Sequence, residues 1–157
     1  MTFTDTHCHL ADPKLADTLP AVLAEAQTVG VARFIVPATS PKDWHSVAHL
    51  ERPSENIHIA LGIHPWFSDG LNEAAFQELE KELIRHPQAW VGEIGLDFYD
   101  KKQTQAQRDT QTDVFILQLI LAQNLNRRII IHNLKATAAI AAAVKTAGFT
   151  RGGIVHA

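Results

Sequence analysis

A chain of 157 residues and 17.3 kDa, 46% hydrophobic and 20% charged, is long enough to bury an ordinary core and too apolar to be a disordered segment. Its 17 acidic and 14 basic residues leave a formal charge of -3, which argues against a module that tracks duplex nucleic acid by electrostatics alone but not against a nuclease whose positive charge comes from bound metal. One cysteine rules out an intrachain disulfide and agrees with a reducing cytoplasm; Met1-Thr2-Phe3-Thr4-Asp5 does not read as a secretory signal, and no run approaches the roughly 18 apolar residues of a membrane span.

Short β-rich runs alternate with helical patterns. A strand is expected over Phe3 to His7, then a helix over Leu19 to Val29, where Pro20 fits an opening turn, apolar residues recur at helical spacing and Gly30 supplies a left-handed stop. The second strand, Ala32 to Pro37, leads to a helix starting at Ser40 and Pro41 and reaching about Glu51, with Pro53 preventing continuation. The third strand, Ile57 to Ile63, precedes a helix over Asn72 to Arg85 whose Ala75, Phe76, Leu79 and Leu83 form an inward stripe. After a fourth strand, Trp90 to Leu96, a long helix over Thr104 to Asn124 sets Val114, Leu117, Leu121 and Leu125 on one apolar side. A fifth strand, Arg128 to His132, an alanine-rich helix from Lys135 to Ala147 ended by Gly148, and a sixth strand, Gly153 to His156, close the series.

This alternation implies a parallel sheet, because parallel neighbours need crossover connections and those are usually helical. An open doubly wound sheet and a (β/α) barrel both satisfy it. Polar residues decide for the barrel: strand-like runs end in Thr6-His7-Cys8-His9, Gly62-Ile63-His64, Gly92-Glu93-Ile94, Ile131-His132 and Val155-His156, and barrel enzymes gather their chemistry from the carboxyl ends of several strands. Histidine and carboxylate are common ligands of zinc and related divalent ions. Strand parity projects His7 and His9 together with Cys8 opposed, and links Glu93 to Asp97 if the backbone stays extended through Gly95.

The remaining histidines and aromatics read more plainly. His45 and His49 belong to a solvated helix face, His58 and His86 are structural, and Cys8 is a small buried group. Trp44, Trp66 and Trp90 pack in core or loops, with Trp66 also placed, just after His64-Pro65, to stack on a base.

Asp5-Thr6-His7-Cys8-His9-Leu10, Gly62-Ile63-His64-Pro65, Gly92-Glu93-Ile94-Gly95-Leu96-Asp97, Ile131-His132 and Gly153-Ile154-Val155-His156, in this order, resemble the TatD-like metal-dependent hydrolases of the amidohydrolase superfamily; Gln118-Leu119 and Leu121-Ala122 match as well. The resemblance implies an α/β fold of the (β/α)8 TIM-barrel type, here with about six βα units over residues 1–157, and metal-dependent cleavage of DNA phosphodiester bonds, on single strands or ends. It implies two divalent ions (Mg, Zn or Mn), one held by His7, His9 and Glu93, the other by Glu93, His132 and His156, with Glu93 bridging. His64 and Asp97 would line the mouth beside Glu93 as catalytic groups, with His64, Trp66 and Lys135 touching substrate.

Two departures from the family pattern shape the expectation. The arginine usual two residues after the fifth-strand histidine is Leu134 here, with Lys135 following, which opens a second reading as hydrolase of a small ester, amide or lactone. A full barrel takes about 250 residues, and the family's last aspartate, at the end of an eighth strand, has no counterpart; a non-catalytic fragment, or an oligomer that covers the open edges, is therefore a third reading.

Overall fold

The computed structural model describes residues 1–52 and 56–157, so the expected stop at Pro53 lies outside the described residues. Six strands, β1 (Phe3–Asp5), β2 (Val31–Pro37), β3 (Ile57–Leu61), β4 (Trp90–Asp97), β5 (Ile129–Leu134) and β6 (Gly153–His156), alternate with helices α1 (Leu19–Thr28), α2 (Trp44–Ala48), α3 (Glu73–Arg85), α4 (Gln105–Asn124) and α5 (Thr137–Thr146). All strand pairs are parallel and the spatial order is β1-β2-β3-β4-β5-β6. A doubly wound sheet would reverse its order at a switch point, whereas this one never does, and it curls into an incomplete barrel with its helices outside.

Strand parity divides the side chains cleanly between the two faces. Phe34, Val36, Ile59, Leu61, Ile129 and Ile131 join the main core under the helices, while the intervening Ile35, Ala60 and Ile130 form a separate small cluster on the concave face. The concave face is therefore layered along each strand: Arg128 just before β5 is followed by Ile130 and His132 on it, Arg33 and Ile35 succeed one another on β2, and Ile154 and His156 on β6. Such stacked layers are how barrel interiors fill.

Side-chain caps fix the starts of two of the helices that back this sheet, α3 and α4. Asn72 accepts from the Ala75 amide at the start of α3, and Thr104 and Gln107 form a reciprocal capping box at the start of α4. Two expectations need correction. The helix expected from Ser40 to Glu51 is only Trp44–Ala48, because the Asp43 carboxylate takes the Thr39 and Ser40 amides and holds a turn there instead. On α4 the buried residues are Gln111, Val114, Phe115, Gln118, Leu119 and Ala122; Leu117 is exposed, and Leu121 and Leu125 are only partly covered. The stripe is rotated because two glutamines face the sheet, where they serve its backbone.

Candidate metal centre

β1 stops at Asp5, and the next residues reach the site as a short irregular segment. The Asp5 carboxylate accepts from the His7 amide at 3.1 Å, and the Ile35 carbonyl accepts from the Cys8 amide at 3.2 Å, tying the segment to β2. With Cys8 turned toward β2, His7 and His9 turn together and bring their Nε2 atoms to 3.2 Å. The parity argument thus survives although the strand itself has ended. Burial, reinforced by the Asp5 charge, pushes the Cys8 thiol up to about 12.

Glu93, on β4, is the hub. Its amide donates to the Ala38 carbonyl at 2.9 Å, and its nearly inaccessible carboxylate meets four imidazoles: His7 Nε2 at 3.4 Å, His64 Nε2 at 3.5 Å, His132 Nδ1 at 3.1 Å and His156 Nε2 at 2.9 Å. Burial opposes its ionisation most strongly of any single influence, yet contacts from His132, His64 and His7 together overcome this and hold the carboxyl well below the usual range. The close approach of β4 to β5 makes the hub compact: Gly95 sits at φ +137°, and a side chain there would collide with the His132 carbonyl.

His132 lies between two carboxylates, its Nδ1 on Glu93 and its Nε2 at 3.2 Å from Asp97 Oδ2. Burial disfavours the charged ring, but the two acids prevail and raise its affinity for a proton. His156 goes the other way: burial and the neighbouring His7 lower its pKa. His64 has a fixed tautomer. Its Nδ1 accepts from the Trp66 amide at 3.1 Å, so in the neutral ring the hydrogen sits on Nε2, facing Glu93.

Asp97 is held from three sides. Its Oδ2 accepts from the Trp66 indole at 2.7 Å, its Oδ1 accepts from the Tyr99 amide at 3.0 Å, and its own amide donates to Gln111 Oε1 at 3.0 Å. Gln118, wholly buried, accepts from the Ile63 amide at 2.7 Å and donates to the Ile63 carbonyl at 3.1 Å, fixing the backbone next to His64. Reading polar residues on a helix as solvent-facing hides both glutamines; their place on the same side as Phe115 and Ala122 was the available signal.

The donor set fits a divalent cation. His7 Nε2, His9 Nε2 and a Glu93 oxygen lie mutually within 4.8 Å, and the 3.2 Å from His7 to His9 and 3.4 Å from His7 to Glu93 match the roughly 3.4 Å between ligands that stand 2.0 to 2.1 Å from one tetrahedral ion. His156 Nε2 is buried and, despite its short contact with Glu93, lacks the geometry of a hydrogen bond, as a nitrogen awaiting a cation would. A second triplet of converging atoms is His64, Glu93 and His132. The tautomer of His64 removes it from the ligands, because an Nε2 that carries hydrogen has no lone pair to give.

All five expected ligands, together with His64 and Trp66, line one cavity of about 390 Å3 with Thr39 and Phe67. Trp66 is 70% exposed at its rim. Asp97 stands just behind His132, whereas Lys135, exposed at the bend between β5 and α5 with φ 57°, is not among the lining residues. His45 on α2 and His49 just past its end are exposed, and His86 pairs with Glu51 at 2.6 Å. Among the described residues no helix is long and apolar enough to cross a membrane.

Residues 4–157 match the family model "TatD related DNase". The chain is 32% identical to the metal-dependent hydrolase YjjV of Escherichia coli K12 over 98% of its own length and 59% of that protein, and 31% identical to the metal-dependent hydrolase YabD of Bacillus subtilis over 97% and 59%. It is 28% identical to the human deoxyribonuclease TATDN3 over 84% of its length and 52% of that protein. The crystal structure of E. coli YjjV, a TatD homologue, superposes with a TM-score of 0.88 at 31% identity, covering 98% of this chain and 59% of that one. A TatD family hydrolase from Entamoeba histolytica shares the fold, with a TM-score of 0.79 at 20% identity. The chain thus spans somewhat over half the length of the relatives it matches, and on a family match that covers nearly all of its residues it belongs to the TatD-related DNase family.

Proposed function

We propose that this chain carries the metal-binding part of a divalent-metal-dependent hydrolase that cleaves DNA phosphodiester bonds, at single strands or ends. The observation that carries the reading is the convergence of His7, His9, His132 and His156 on the single carboxylate of Glu93. Names given to relatives, metal-dependent hydrolase and deoxyribonuclease, support it.

In this reading His7, His9 and Glu93 hold one ion and Glu93, His132 and His156 the second, with magnesium, zinc or manganese as candidates. When bound, such ions neutralise phosphate charge and activate water. The chain's own residues do the rest. Asp97 accepts from His132 Nε2, which leaves Nδ1 free to face Glu93 and the cation, and the Trp66 indole fixes Asp97 in turn. His64, with its hydrogen on Nε2, donates to Glu93 or to an oxygen of the substrate. The exposed ring of Trp66 offers a face for a base, and Lys135, exposed at the β5 bend outside the cavity lining, would serve as a point charge for the phosphate of a longer substrate. We place the hydrolase in the cytoplasm as one domain over residues 1–157, whose open sheet edges a second copy could cover; the free Cys8 agrees with that compartment.

Labelled single-stranded DNA incubated with the chain and magnesium or manganese tests this reading: shortening that is abolished by His7→Ala supports it, and an intact strand opposes it. One observation favours a second substrate class. Among the described residues, no arginine or lysine lines the histidine cavity, so a small neutral ester, amide or lactone would meet no unmatched cation there. Brisk ester hydrolysis beside uncleaved DNA would select that class.

A further inference from the structure

The end of the concave face opposite the histidines has its own chemistry. Thr4 on β1, Arg33 on β2, His58 on β3, Trp90 at the start of β4 and Arg128 just before β5 border one pocket of about 540 Å3, with Arg127 beside them. Among the described residues, no aspartate or glutamate lines it. Among the described residues, none of the three guanidiniums has a carboxylate within 4 Å. Arg128 lies over the Trp90 ring, 5.5 Å from its centroid, and Arg127 donates to the Leu83 carbonyl while its Nε is buried without a partner. Arg33 and Arg128 are exposed and Arg127 is half-buried, so water screens part of their mutual repulsion, and an anion held between them relieves the remainder. The middle layer of Ile35, Ala60 and Ile130, each at most 5% exposed, separates this pocket from Glu93.

We propose that this basic pocket is an anion site, distinct from the histidine cluster, that takes a small phosphate-bearing anion. Guanidinium forks pair two at a time with carboxylate and phosphate alike, and phosphate suits the pocket better because three arginines offer more charge than one carboxylate neutralises. The Thr4 hydroxyl and the His58 ring add hydrogen-bond partners, and the volume admits pyrophosphate or a mononucleotide. His58, which strand position alone marks as structural, thereby faces a ligand.

The test is calorimetric titration of the chelator-treated 157-residue chain with inorganic pyrophosphate and, separately, with deoxyadenosine 5′-monophosphate; tighter binding of the nucleotide would show that the base contacts Trp90. Removing metal keeps phosphate from being held at Glu93. The proposal expects saturable binding that persists in His132→Ala and weakens at least about tenfold in Arg33→Gln and in Arg128→Gln. No saturable binding of either probe, binding lost in His132→Ala, or binding unchanged in the arginine variants would overturn it. Should those variants unfold, the indole 1H-15N signal of Trp90 in the wild-type chain decides: the proposal requires it to move on titration, and a stationary signal rejects it. Because the probes are read without metal, the outcome is independent of whether the histidine site cleaves DNA.

Discussion

His7 follows β1 and His156 ends β6, the two edge strands of the sheet, yet their ring centroids are 3.9 Å apart. Five strand spacings of about 4.8 Å would hold them roughly 24 Å apart in a flat sheet, so the contact measures how far the sheet has curled. The candidate centre exists because of that curl: β1 and β6 deliver imidazoles to a carboxylate that β4 supplies from between them.

His64 separates ligation from proton handling. Because its Nδ1 accepts from the Trp66 amide, His64→Gln is expected to leave the metal content within about twofold of wild type, whereas His132→Ala should lower it at least about tenfold. Elemental analysis of the two purified variants compares them directly. Equal loss in both would make His64 a ligand.

Gln118 carries a stability prediction free of metal. Replacing it with leucine keeps the volume near that of the amide but leaves the Ile63 amide and carbonyl unpaired in a fully buried position. At about 1 to 3 kcal/mol for each unpaired group, the loss should be roughly 2 to 6 kcal/mol in urea unfolding. A change below about 1 kcal/mol would show that the two bonds are dispensable.

How much of this was legible in the sequence follows from what each residue answers to. Strand ends bearing His64, Glu93, His132 and His156 were legible because apolar runs and glycines mark strands locally, and all six strands form near the expected bounds. The short α2 was not, since Asp43 chooses between capping a turn and opening a helix according to where Thr39 falls after β2. Gln111 and Gln118 were hidden because their partners, Asp97 and Ile63, lie 14 and 55 residues away and a polar residue on a helix is ordinarily solvated. The basic layer was written as Arg33-Phe34-Ile35 and Arg128-Ile129-Ile130, but only the register of neighbouring strands shows that both arginines line one pocket.

Protonation in the metal-free protein gives an acid-base signature. The pKa of His132 is raised above its ordinary 6.5, so its contribution to stability is complete below that pH and is lost as pH rises through the folded value. Glu93 is depressed, so its contribution is present above its ordinary 4.5 and is lost only as pH falls through the much lower folded value. His156, lowered, acts against His132 by favouring the neutral ring, which costs stability below 6.5. In His132→Asn, the decline in Tm of the chelated protein above pH 6.5 should flatten. With excess zinc the wild-type slope should reverse, because the cation displaces protons. An identical decline in wild type and variant would contradict this assignment.

The most direct measurement of the central claim is the metal bound by the 157-residue chain and by Glu93→Gln, each purified without chelator, dialysed against zinc and then against metal-free buffer, and read by mass spectrometry. Convergence of the imidazoles on Glu93 predicts about one equivalent or more in the wild type and at least about a tenfold drop in the variant. Less than about a tenth of an equivalent in the wild type, or equal metal in both proteins, would contradict it.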